Sequence, residues 1–184
     1  MNIEKKQAHI GDTVLKIDNL WTSGEKEMSK IRGVSLEVKS GEIVGIAGID
    51  GNGQSELIEA ICGLRKVEKG SILLDGKNIT NESVKKIRKA GLSHIPEDRN
   101  VRGLNRSMTI EENIVAAQIS DAPFSNGIML NNTKMLEYTN ELIDKFDIRP
   151  RNPQTLTQGM SGGNAQKIVV AREVSIGGKV LIAS

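Results

Sequence analysis

The sequence is short of aromatic residues, cysteine and long apolar runs, and each shortage excludes a class of protein. One tryptophan, one tyrosine and two phenylalanines in 184 residues are too few for the aromatic platform on which single-stranded nucleic acids stack. Cys62 is the only cysteine, so a disulfide framework and a cysteine-based metal cluster are excluded, and a small core residue is the favoured interpretation. No apolar run approaches the roughly 20 residues that a membrane-spanning helix requires.

An excess of either charge is also missing. The 25 lysines and arginines nearly balance the 23 acidic residues, which gives a net charge of +2, and the two signs are interspersed. We therefore expect no basic face and no nucleic-acid partner. The polar start Met1–Lys6 lacks the apolar centre of a signal peptide. These features predict a soluble, cytoplasmic protein of one domain, or most of one, that is long enough to bury a core.

A glycine-rich segment at residues 48–55, Gly-Ile-Asp-Gly-Asn-Gly-Gln-Ser, carries the strongest functional signal. It fits the phosphate-loop pattern G-x-x-x-x-G-K-[ST] at every fixed position except 54, where glutamine replaces lysine. The apolar run Ile43–Ala47 before it predicts a buried strand, and the apolar-periodic stretch from Leu57 to Leu64 after it predicts a helix. This order predicts a nucleotide phosphate site formed by Gly48, Ile49, Asp50, Gly51, Asn52, Gly53, Gln54, Ser55 and Glu56.

The missing lysine limits what this loop is expected to do. Its glycines let the backbone turn N–H groups inward, the helix adds the positive end of its dipole, and the Ser55 hydroxyl is placed to reach a phosphate-bound Mg²⁺. A unit charge at about 4 Å and an effective dielectric of about 20 is worth roughly 4 kcal/mol, on the order of a thousandfold in affinity or rate. Asp50 and Glu56 add negative charge. We expect nucleotide binding without efficient hydrolysis; the alternative is an ordinary glycine-rich turn.

The remainder of the first hundred residues predicts alternating strands and helices. The predicted elements are strands at 14–20 and 34–38 on either side of a polar loop at 23–30, a hairpin at 71–79, a helix at about 82–90 and a strand at 92–95. The Asp75-Gly76 dipeptide favours a tight hairpin turn, and Gly91 is placed to stop the helix. Alternation of this kind is typical of an α/β sheet that carries its ligand at one edge.

From about residue 107 the pattern becomes helical. Thr109 and Glu112 have the spacing of a capping box that opens a helix through Ala117. A polar stretch near 121–132 leads to a longer helix at about 134–146, whose apolar positions are Leu136, Leu142, Ile143 and Phe146. The sequence therefore predicts a helical insertion within an α/β core.

A second glycine-containing motif occupies residues 161–167, Ser-Gly-Gly-Asn-Ala-Gln-Lys, and leads directly into an apolar helix. Ser161 is placed to cap this helix, and Gly162 and Gly163 leave its first N–H groups accessible, which makes a second anion site. Alone, the motif is equally compatible with an ordinary helix cap. Its occurrence downstream of the loop at 48–55 favours the anion-binding interpretation.

Together these motifs resemble the nucleotide-binding domains of ABC transporters. Residues 161–167, here called the signature segment, resemble the family's signature motif, usually written L-S-G-G-Q, and Gly48–Ser55 resembles its Walker A loop. His94–Arg99 lies where the family has its Q-loop, with Glu97 in place of the glutamine. The resemblance covers about residues 13 to 184 and is closest to the second half of tandem ATPases that serve sugar and nucleoside importers.

The resemblance implies an α/β fold of the ABC-type P-loop NTPase class, with a mixed sheet in a RecA-like core, an antiparallel β subdomain and an inserted helical subdomain, incomplete at the C-terminus. The implied parts are a linker or disordered arm at 1–12, a core and β subdomain at 13–100, a helical subdomain at about 101–165, and the signature helix with the start of the Walker B strand at 160–184, so that 13–184 is a partial domain.

Three departures from the family pattern bear on catalysis. Gln54 replaces the Walker A lysine, and Ser184 stands where the metal-binding aspartate of the Walker B strand is expected. The catalytic glutamate and the switch histidine of the family would follow residue 184, so we assign no catalytic residue in this chain. Ser55 and Glu97 are the expected Mg²⁺ ligands. Trp21 is the candidate for stacking on adenine, with a packing role as the alternative.

In the family, two nucleotide-binding domains enclose ATP, and each site joins one domain's Walker A loop to the partner's signature motif. The resemblance therefore implies an importer of simple sugars or nucleosides that uses ATP and Mg²⁺. Its own loop is degenerate, and Ser161, Gly162 and Gly163 complete a partner's site. The implied partners are a second nucleotide-binding domain, transmembrane permease subunits contacted by residues 101–165, and indirectly a substrate-binding protein, at the inner face of the plasma membrane. The alternatives are a structural half that binds no nucleotide and a soluble ABC ATPase without a transport role.

Overall fold

The computed structural model describes residues 8–23, 31–49 and 51–184, which form two compact units. The first unit is Met1–Ser93 with Gly178–Ile182, and the second is His94–Gly177 with Ala183–Ser184. Each unit encloses its own hydrophobic core. Of the arm predicted at 1–12, residues 1–7 lie outside the described part, as do Asp50 and residues 24–30 of the predicted polar loop.

An antiparallel four-stranded sheet dominates the first unit. β1 (Thr13–Thr22) lies between β2 (Ile31–Lys39) and β3 (Val67–Leu74), and β4 (Lys77–Asn78) pairs with the other edge of β3. The strands predicted at 14–20 and 34–38 are therefore confirmed, and each is longer than its apolar run. β1 and β2 pair in antiparallel fashion.

Burial of apolar side chains sets the register of this sheet. Leu15 lies opposite Leu74 and Ile17 opposite Ile72 on the paired strands β1 and β3. All four side chains are buried, and they belong to one cluster. Because side chains alternate between the two faces of a strand, a slip of one residue would turn this set toward solvent.

The hairpin between β3 and β4 turns at Asp75 and Gly76. Their φ angles are +50° and +74°, and a two-residue turn of this type requires left-handed backbone at both positions. The predicted Asp-Gly turn is confirmed. The Asp75 carboxylate also pairs with the Lys179 ammonium, which lowers the pKa of Asp75.

The helix predicted after the glycine-rich segment is confirmed but is shorter than expected. α1 (Gln54–Ile61) buries Leu57, Ala60 and Ile61, and Cys62 follows it as a buried residue, as predicted. Leu64 lies beyond the helix and is exposed, so its placement on the helix was wrong. The reason is that Gly63, at φ +75°, ends the helical path one residue after the cap.

The second helix of this unit is α2 (Val84–Ala90), and its limits were well predicted. Ser83 caps its N-terminus by accepting a hydrogen bond from the backbone N–H of Lys86. Gly91, at φ +112°, ends the helix as the sequence indicated, and the chain then enters the next strand.

The strand predicted at Ile43–Ala47 is absent from the structure. Residues 42–49 have no regular secondary structure, and Ile43 is 98% exposed and Ile46 56% exposed. An apolar run becomes a strand only where a neighbouring strand pairs with its N–H and C=O groups. Neither of the sheets formed by the described residues includes this segment, so the run has no such neighbour. The prediction was wrong because apolarity alone does not supply a pairing partner.

A separate two-stranded sheet is formed by β5 (Leu92–Ile95) and β6 (Val180–Ala183). The N–H of Val180 donates to the carbonyl of Gly91, and the N–H of Ser184 donates to that of Ile95, each at 3.1 Å. Because the hydrogen-bonded partners advance together along both segments, the two strands run parallel. Both predicted strands are confirmed.

The second unit is built from helices around its own core. They are α3 (Ile110–Val115), α4 (Asn132–Lys145) and α5 (Gly162–Ser175), with a π-helical turn at Arg99–Gly103 and a 3₁₀ turn at Thr157–Gly159. α5 contributes Ile168, Val169 and Ala171, which are fully buried. Helical periodicity places these three residues on the inward side of α5.

The predicted capping box opens α3. The Thr109 hydroxyl accepts from the N–H of Glu112 at 3.2 Å, and the Glu112 carboxylate accepts from the N–H of Thr109 at 2.8 Å. Two N–H groups at the start of the helix are thus satisfied reciprocally. α3 ends at Val115, so the expectation that it runs through Ala117 was too long.

The longer helix, α4, is confirmed with a different inward face. Met135, Leu142 and Ile143 are buried, whereas Leu136, which was expected on the apolar side, is 42% exposed. The buried positions 135, 139 and 142 follow the i, i+4, i+7 spacing of one helix face. Leu136 is one residue out of that series.

A buried ion pair fixes the C-terminal half of α5. The Glu173 side chain is 1% exposed, and one of its oxygens lies 2.8 Å from Arg172 Nε. Its other oxygen accepts from the backbone N–H of His94 at 3.2 Å, and Arg172 Nη1 donates to the carbonyl of Asn113. The pair therefore ties α5 to the start of this unit and to α3.

Glu173→Ala is expected to lower the free energy of unfolding by about 3 kcal/mol, because it leaves the Arg172 guanidinium buried without its carboxylate. Glu137→Ala is the matched control, since it breaks an exposed ion pair with Lys134 and should cost less than about 1 kcal/mol. Urea denaturation of both variants makes the comparison. Equal losses in the two would contradict the structural role given to Glu173.

Candidate functional site

The predicted phosphate loop, Gly48–Ser55, lies in the first unit at the N-terminus of α1. Gly51 and Gly53 have φ angles of +83° and +103°, which side-chain-bearing residues rarely adopt, so glycine is required there by the path of the chain. A turn is closed by the N–H of Asn52, which donates to the carbonyl of Ile49 at 3.2 Å. The loop therefore presents backbone N–H groups at the positive end of a helix.

The Gln54 side chain folds back over this loop. Its Nε2 donates to the carbonyl of Ile49 at 3.3 Å. It also lies so close to Gly48 that a Cβ at that position would overlap the amide. At this sequence position the family's lysine would supply a positive charge, and here the side chain is a neutral amide. This geometry retains hydrogen-bond donors for an anion and lacks the charge that would stabilise it.

Ser55 and Glu56 follow in the first turn of α1. Ser55 is exposed, and its hydroxyl makes no hydrogen bond to any described residue, so it is available to a ligand. Glu56 is partly buried and brings an acidic group to the helix end that would face phosphate. Asp50, the other predicted acidic neighbour, lies outside the described residues.

The signature segment opens α5 in the second unit. Ser161 is the N-cap, and its hydroxyl lies 3.5 Å from the N–H and 3.2 Å from the side-chain amide of Asn164. The predicted helix cap is confirmed. Ser161, Gly162 and Gly163 are all exposed, whereas one face of the helix further along is buried, at Ala165, Ile168, Val169, Ala171 and Glu173. The first N–H groups of a long, well-anchored helix thus face solvent, where they can donate to an anion.

A charged loop braces the first turns of α5. Lys167 Nζ donates to the carbonyl of Asp147 at 2.5 Å, and the N–H of Arg149 donates to the side chain of Asn164 at 2.9 Å. The Arg149 guanidinium also bonds the Asp147 carboxylate at 2.9 Å. This hydrogen bond, with the nearby charges of Arg149 and Lys167, lowers the pKa of Asp147. The brace fixes the helix end that carries the signature segment.

Arg99 is a neighbour of the signature segment that sequence reasoning missed. A Cβ on Gly162 would lie 2.6 Å from Arg99 Nη2, so the guanidinium rests against the glycine. The two residues are far apart in the chain, and only the packing of the π-helical turn Arg99–Gly103 on α5 brings them together. The sequence offered one indirect signal, which is that Arg99 closes the His94–Arg99 segment already singled out.

The two predicted Mg²⁺ ligands belong to different units. Ser55 lies in the first and Glu97 in the second, and Glu97 is exposed. Within the described ranges, no group of three or more His, Cys, Asp or Glu side chains is arranged to hold a metal ion. The joint role of Ser55 and Glu97 as Mg²⁺ ligands therefore stays a prediction. Ser184 Oγ lies 3.5 Å from His94 Nε2, an approach that the sequence did not suggest.

Trp21 lies on β1 and keeps 37% of its surface exposed. Its indole Nε1 donates to the side chain of Asn19 at 2.9 Å, and Lys69 Nζ is 5.8 Å from the ring centroid. These contacts fix the ring against neighbours in the same sheet. They fit the packing role and leave the stacking role a prediction.

The sequence matches known proteins in the way these motifs indicate. The family model described as ABC transporter matches residues 31–183. A guanosine import ATP-binding protein, NupO of Bacillus subtilis, is 42% identical over 98% of this chain, and a nucleoside import ATP-binding protein, NupA of Lactococcus lactis, is 42% identical over the same share. A ribose import ATP-binding protein of Bacillus subtilis, RbsA, is 34% identical over 97%. The chain covers 36%, 36% and 35% of these relatives, about a third of their length.

Solved structures agree on the fold. An ATP-binding cassette described as a dimer in a post-hydrolysis state with ADP and phosphate superposes with a TM-score of 0.73 at 23% identity, covering 92% of this chain and 72% of that one. A nucleotide-free cassette of an ABC transporter gives a TM-score of 0.72 at 20% identity, with 93% and 68% covered. The predicted fold class is thereby confirmed.

Asp147→Asn is expected to make the free energy of unfolding less dependent on pH in the acid range. Since the pKa of Asp147 lies below its ordinary value of 3.8, its ionised form stabilises the fold above that value, and this contribution disappears as the pH falls through the lowered pKa. The variant lacks this carboxylate. Its free energy of unfolding should therefore fall furthest below that of the unmodified chain near neutral pH, and the difference should shrink in strong acid. Urea denaturation across that range measures it, with Arg149→Gln as a second route to the same loss. If the difference in the free energy of unfolding did not change with pH, the stabilising role given to the ionised Asp147 carboxylate would be wrong.

Proposed function

The chain belongs to the ABC transporter family of ATP-binding proteins, and we propose that it is an ATP-binding part of an importer for nucleosides or simple sugars. The family match over residues 31–183 and the relatives named for guanosine, nucleoside and ribose import support this proposal. The relatives at 42% identity are named for guanosine and nucleosides, so nucleosides are the first substrate class to test. Because the chain spans about a third of those proteins, their whole activity comes to it only as a proposal.

The observation that carries the mechanism is the contrast between two anion-binding segments. The phosphate loop has a neutral Gln54 amide folded over it, whereas the signature segment exposes the N-terminus of a helix whose inner face is buried. The first arrangement favours holding ATP without efficient cleavage. The second is available to a nucleotide on another domain. Together they support a division of labour between two ATP sites.

In its own site, the chain would hold ATP through the backbone N–H groups of the glycine-rich turn. Ser55 would offer its hydroxyl to Mg²⁺. ATP supplies the phosphoanhydride bond of the reaction, and the protein's part is to position it and to stabilise charge. With an amide in place of an ammonium, the loop provides positioning and little charge stabilisation. This site is therefore a binding site.

In the partner's site, Ser161 would offer its hydroxyl, and Gly162 and Gly163 their N–H groups, to the γ-phosphate of ATP held by a second nucleotide-binding domain. Donors fixed in advance act on developing charge without the cost of reorganising them. The brace from Asp147 to Lys167 supports this role because it holds the helix end in place. The signature segment therefore contributes to hydrolysis in trans.

The helical unit would meet the transmembrane permease subunits. Ile128 and Met129 are 93% and 68% exposed, and apolar side chains presented in this way suit a protein interface. No helix within the described ranges is long and apolar enough to cross a membrane. The chain would then act at the cytoplasmic face, and a substrate-binding protein would reach it only through the permease.

A structural half that binds no nucleotide is the second candidate function. It is favoured by the Gln54 amide, which fills the space over Gly48 where phosphate would approach. It is opposed by the exposed Ser55 hydroxyl and by the left-handed glycines, which preserve the shape of the loop. Equilibrium titration of the chain with a labelled ATP analogue and Mg²⁺ separates the two candidates. An ABC ATPase without a transport role is disfavoured by the import functions for which the relatives are named.

Ser161→Arg is expected to lower ATP hydrolysis by the assembled transporter at least about a hundredfold, because the arginine side chain blocks the approach of a partner's nucleotide and removes the hydroxyl. Ser83→Arg is the matched control. It replaces another N-cap serine by the same residue, at the start of α2, and so imposes a similar capping cost of about 1 kcal/mol away from the site. Steady-state hydrolysis and uptake are measured for both.

The control should hydrolyse ATP at nearly the rate of the unmodified transporter. If Ser161→Arg did the same, the role of the signature segment in trans would be wrong. Equal losses in both variants would attribute the effect to helix capping and would also contradict the proposal.

A further inference from the structure

The Arg99 side chain lies beside the first turn of α5, and no described acidic side chain neutralises its charge. Within the part of the chain that the structure describes, its side chain forms no ion pair and no hydrogen bond, and Nε is buried without a partner. A buried guanidinium N–H without an acceptor is costly, so the arrangement calls for an explanation.

Arg106, seven residues further along the chain, contrasts with Arg99 in its hydrogen bonds. Arg106 donates from Nη1 to the Asn100 side chain at 2.5 Å and from Nη2 to the carbonyl of Gln158 at 2.6 Å. Asp98, the nearest acidic residue in the chain, uses its carboxylate to cap the π-helical turn, accepting from the N–H groups of Asn100 and Val101 at 2.8 and 3.2 Å. These three acceptors thus bond groups other than the Arg99 guanidinium.

The position of the guanidinium is fixed by packing. Gly103 has no side chain, and a Cβ there would lie 3.1 Å from Val169 and 3.2 Å from the Cβ of Arg99, so the π-helical turn lies directly on α5. Gly162 provides the space in which the guanidinium rests. Two glycines therefore bring Arg99 to the start of the signature helix.

This placement is unfavourable without a ligand. The N-terminus of a helix carries a partial positive charge, and a second positive charge beside it is repelled. An anion that accepts from both would convert the repulsion into two attractions. Phosphate suits the geometry, since it offers several acceptor oxygens to a planar guanidinium and to backbone N–H groups at once.

We propose that the Arg99 guanidinium and the first N–H groups of α5 form one phosphate-binding site, which contacts a terminal phosphate of the nucleotide held by a second ATP-binding domain. The identity of that nucleotide rests on the function proposed above. The phosphate affinity of the site itself does not, because it depends only on residues of this chain. Arg99 is thus a positioning and charge-supplying residue for hydrolysis in trans.

The first experiment titrates the chain with inorganic phosphate at constant ionic strength and follows the backbone amide signals of Gly162 and Gly163 by NMR. Arg99→Gln is expected to weaken phosphate binding about tenfold, the worth of a charge-assisted hydrogen bond. Arg99→Lys should restore most of the affinity, because it restores the charge. Phosphate binding by Arg99→Gln equal to that of the unmodified chain would overturn the proposal.

Lys134→Gln is the matched control, since it removes an exposed positive charge that pairs with Glu137 in the same unit. It should leave phosphate affinity unchanged. A loss of affinity equal to that of Arg99→Gln would show that only the net charge of the chain matters, and it would overturn the proposed site. Gly162→Ala supplies an independent variant, because its methyl group displaces the guanidinium. It should weaken binding in the unmodified chain and cause little further loss when Arg99 is already glutamine.

The second experiment measures ATP hydrolysis by the assembled transporter. Arg99→Gln should reduce the maximal rate about tenfold, with partial recovery in Arg99→Lys. If phosphate binding depends on Arg99 and hydrolysis is unaffected by both Arg99→Gln and Ser161→Arg, the phosphate site stands and the proposed function in trans fails. If hydrolysis depends on Ser161 and neither experiment depends on Arg99, the proposed function stands and the role of Arg99 fails.

Discussion

Burial of one face of α5 fixes the direction in which its first N–H groups point. Ile168, Val169 and Ala171 are fully enclosed, and the Glu173–Arg172 pair ties the far half of the helix to its own unit. Near the other end, Lys167 and Asn164 hold the Asp147–Arg149 loop against the helix. The exposed N-terminus therefore cannot tilt without disturbing a packed core. Donors held in this way can act on a phosphate without first being ordered, which is the condition for electrostatic stabilisation of developing charge.

The two segments that we propose to bind phosphate have the same backbone arrangement and differ in the side chain beside it. In the loop at Gly48–Ser55, glycines aim N–H groups at the end of α1, and the adjacent side chain is the neutral amide of Gln54. At the start of α5, the adjacent side chain is the guanidinium of Arg99. The charge on that side chain decides the difference, since a hydrogen bond to a charged group is worth roughly twice a neutral one. We therefore assign the contribution to hydrolysis to the segment that retains a positive charge.

Much of the fold and of the candidate site could be predicted from residues that lie close together in the sequence. The Asp75-Gly76 turn, the Thr109–Glu112 capping box and the Ser161 cap were predictable because each depends on residues within a few positions of one another. The strand expected at Ile43–Ala47 failed because strand formation depends on a pairing neighbour that local apolarity does not reveal. Arg99 was missed for a related reason, since its contact with Gly162 is created by tertiary packing. The path of Gln54 over Gly48 likewise depends on the folded loop.

The division of labour between the two ATP sites is tested most directly by ATP that carries distinguishable labels on its α- and γ-phosphates. The nucleotide is photo-crosslinked to the assembled transporter after a single turnover, and the two ATP-binding domains are then separated. We expect this chain to retain both labels, because its loop holds ATP without cleaving it, and the second domain to retain only the α label. Loss of the γ label from this chain at the partner's rate, or the absence of nucleotide from it altogether, would contradict the division of labour.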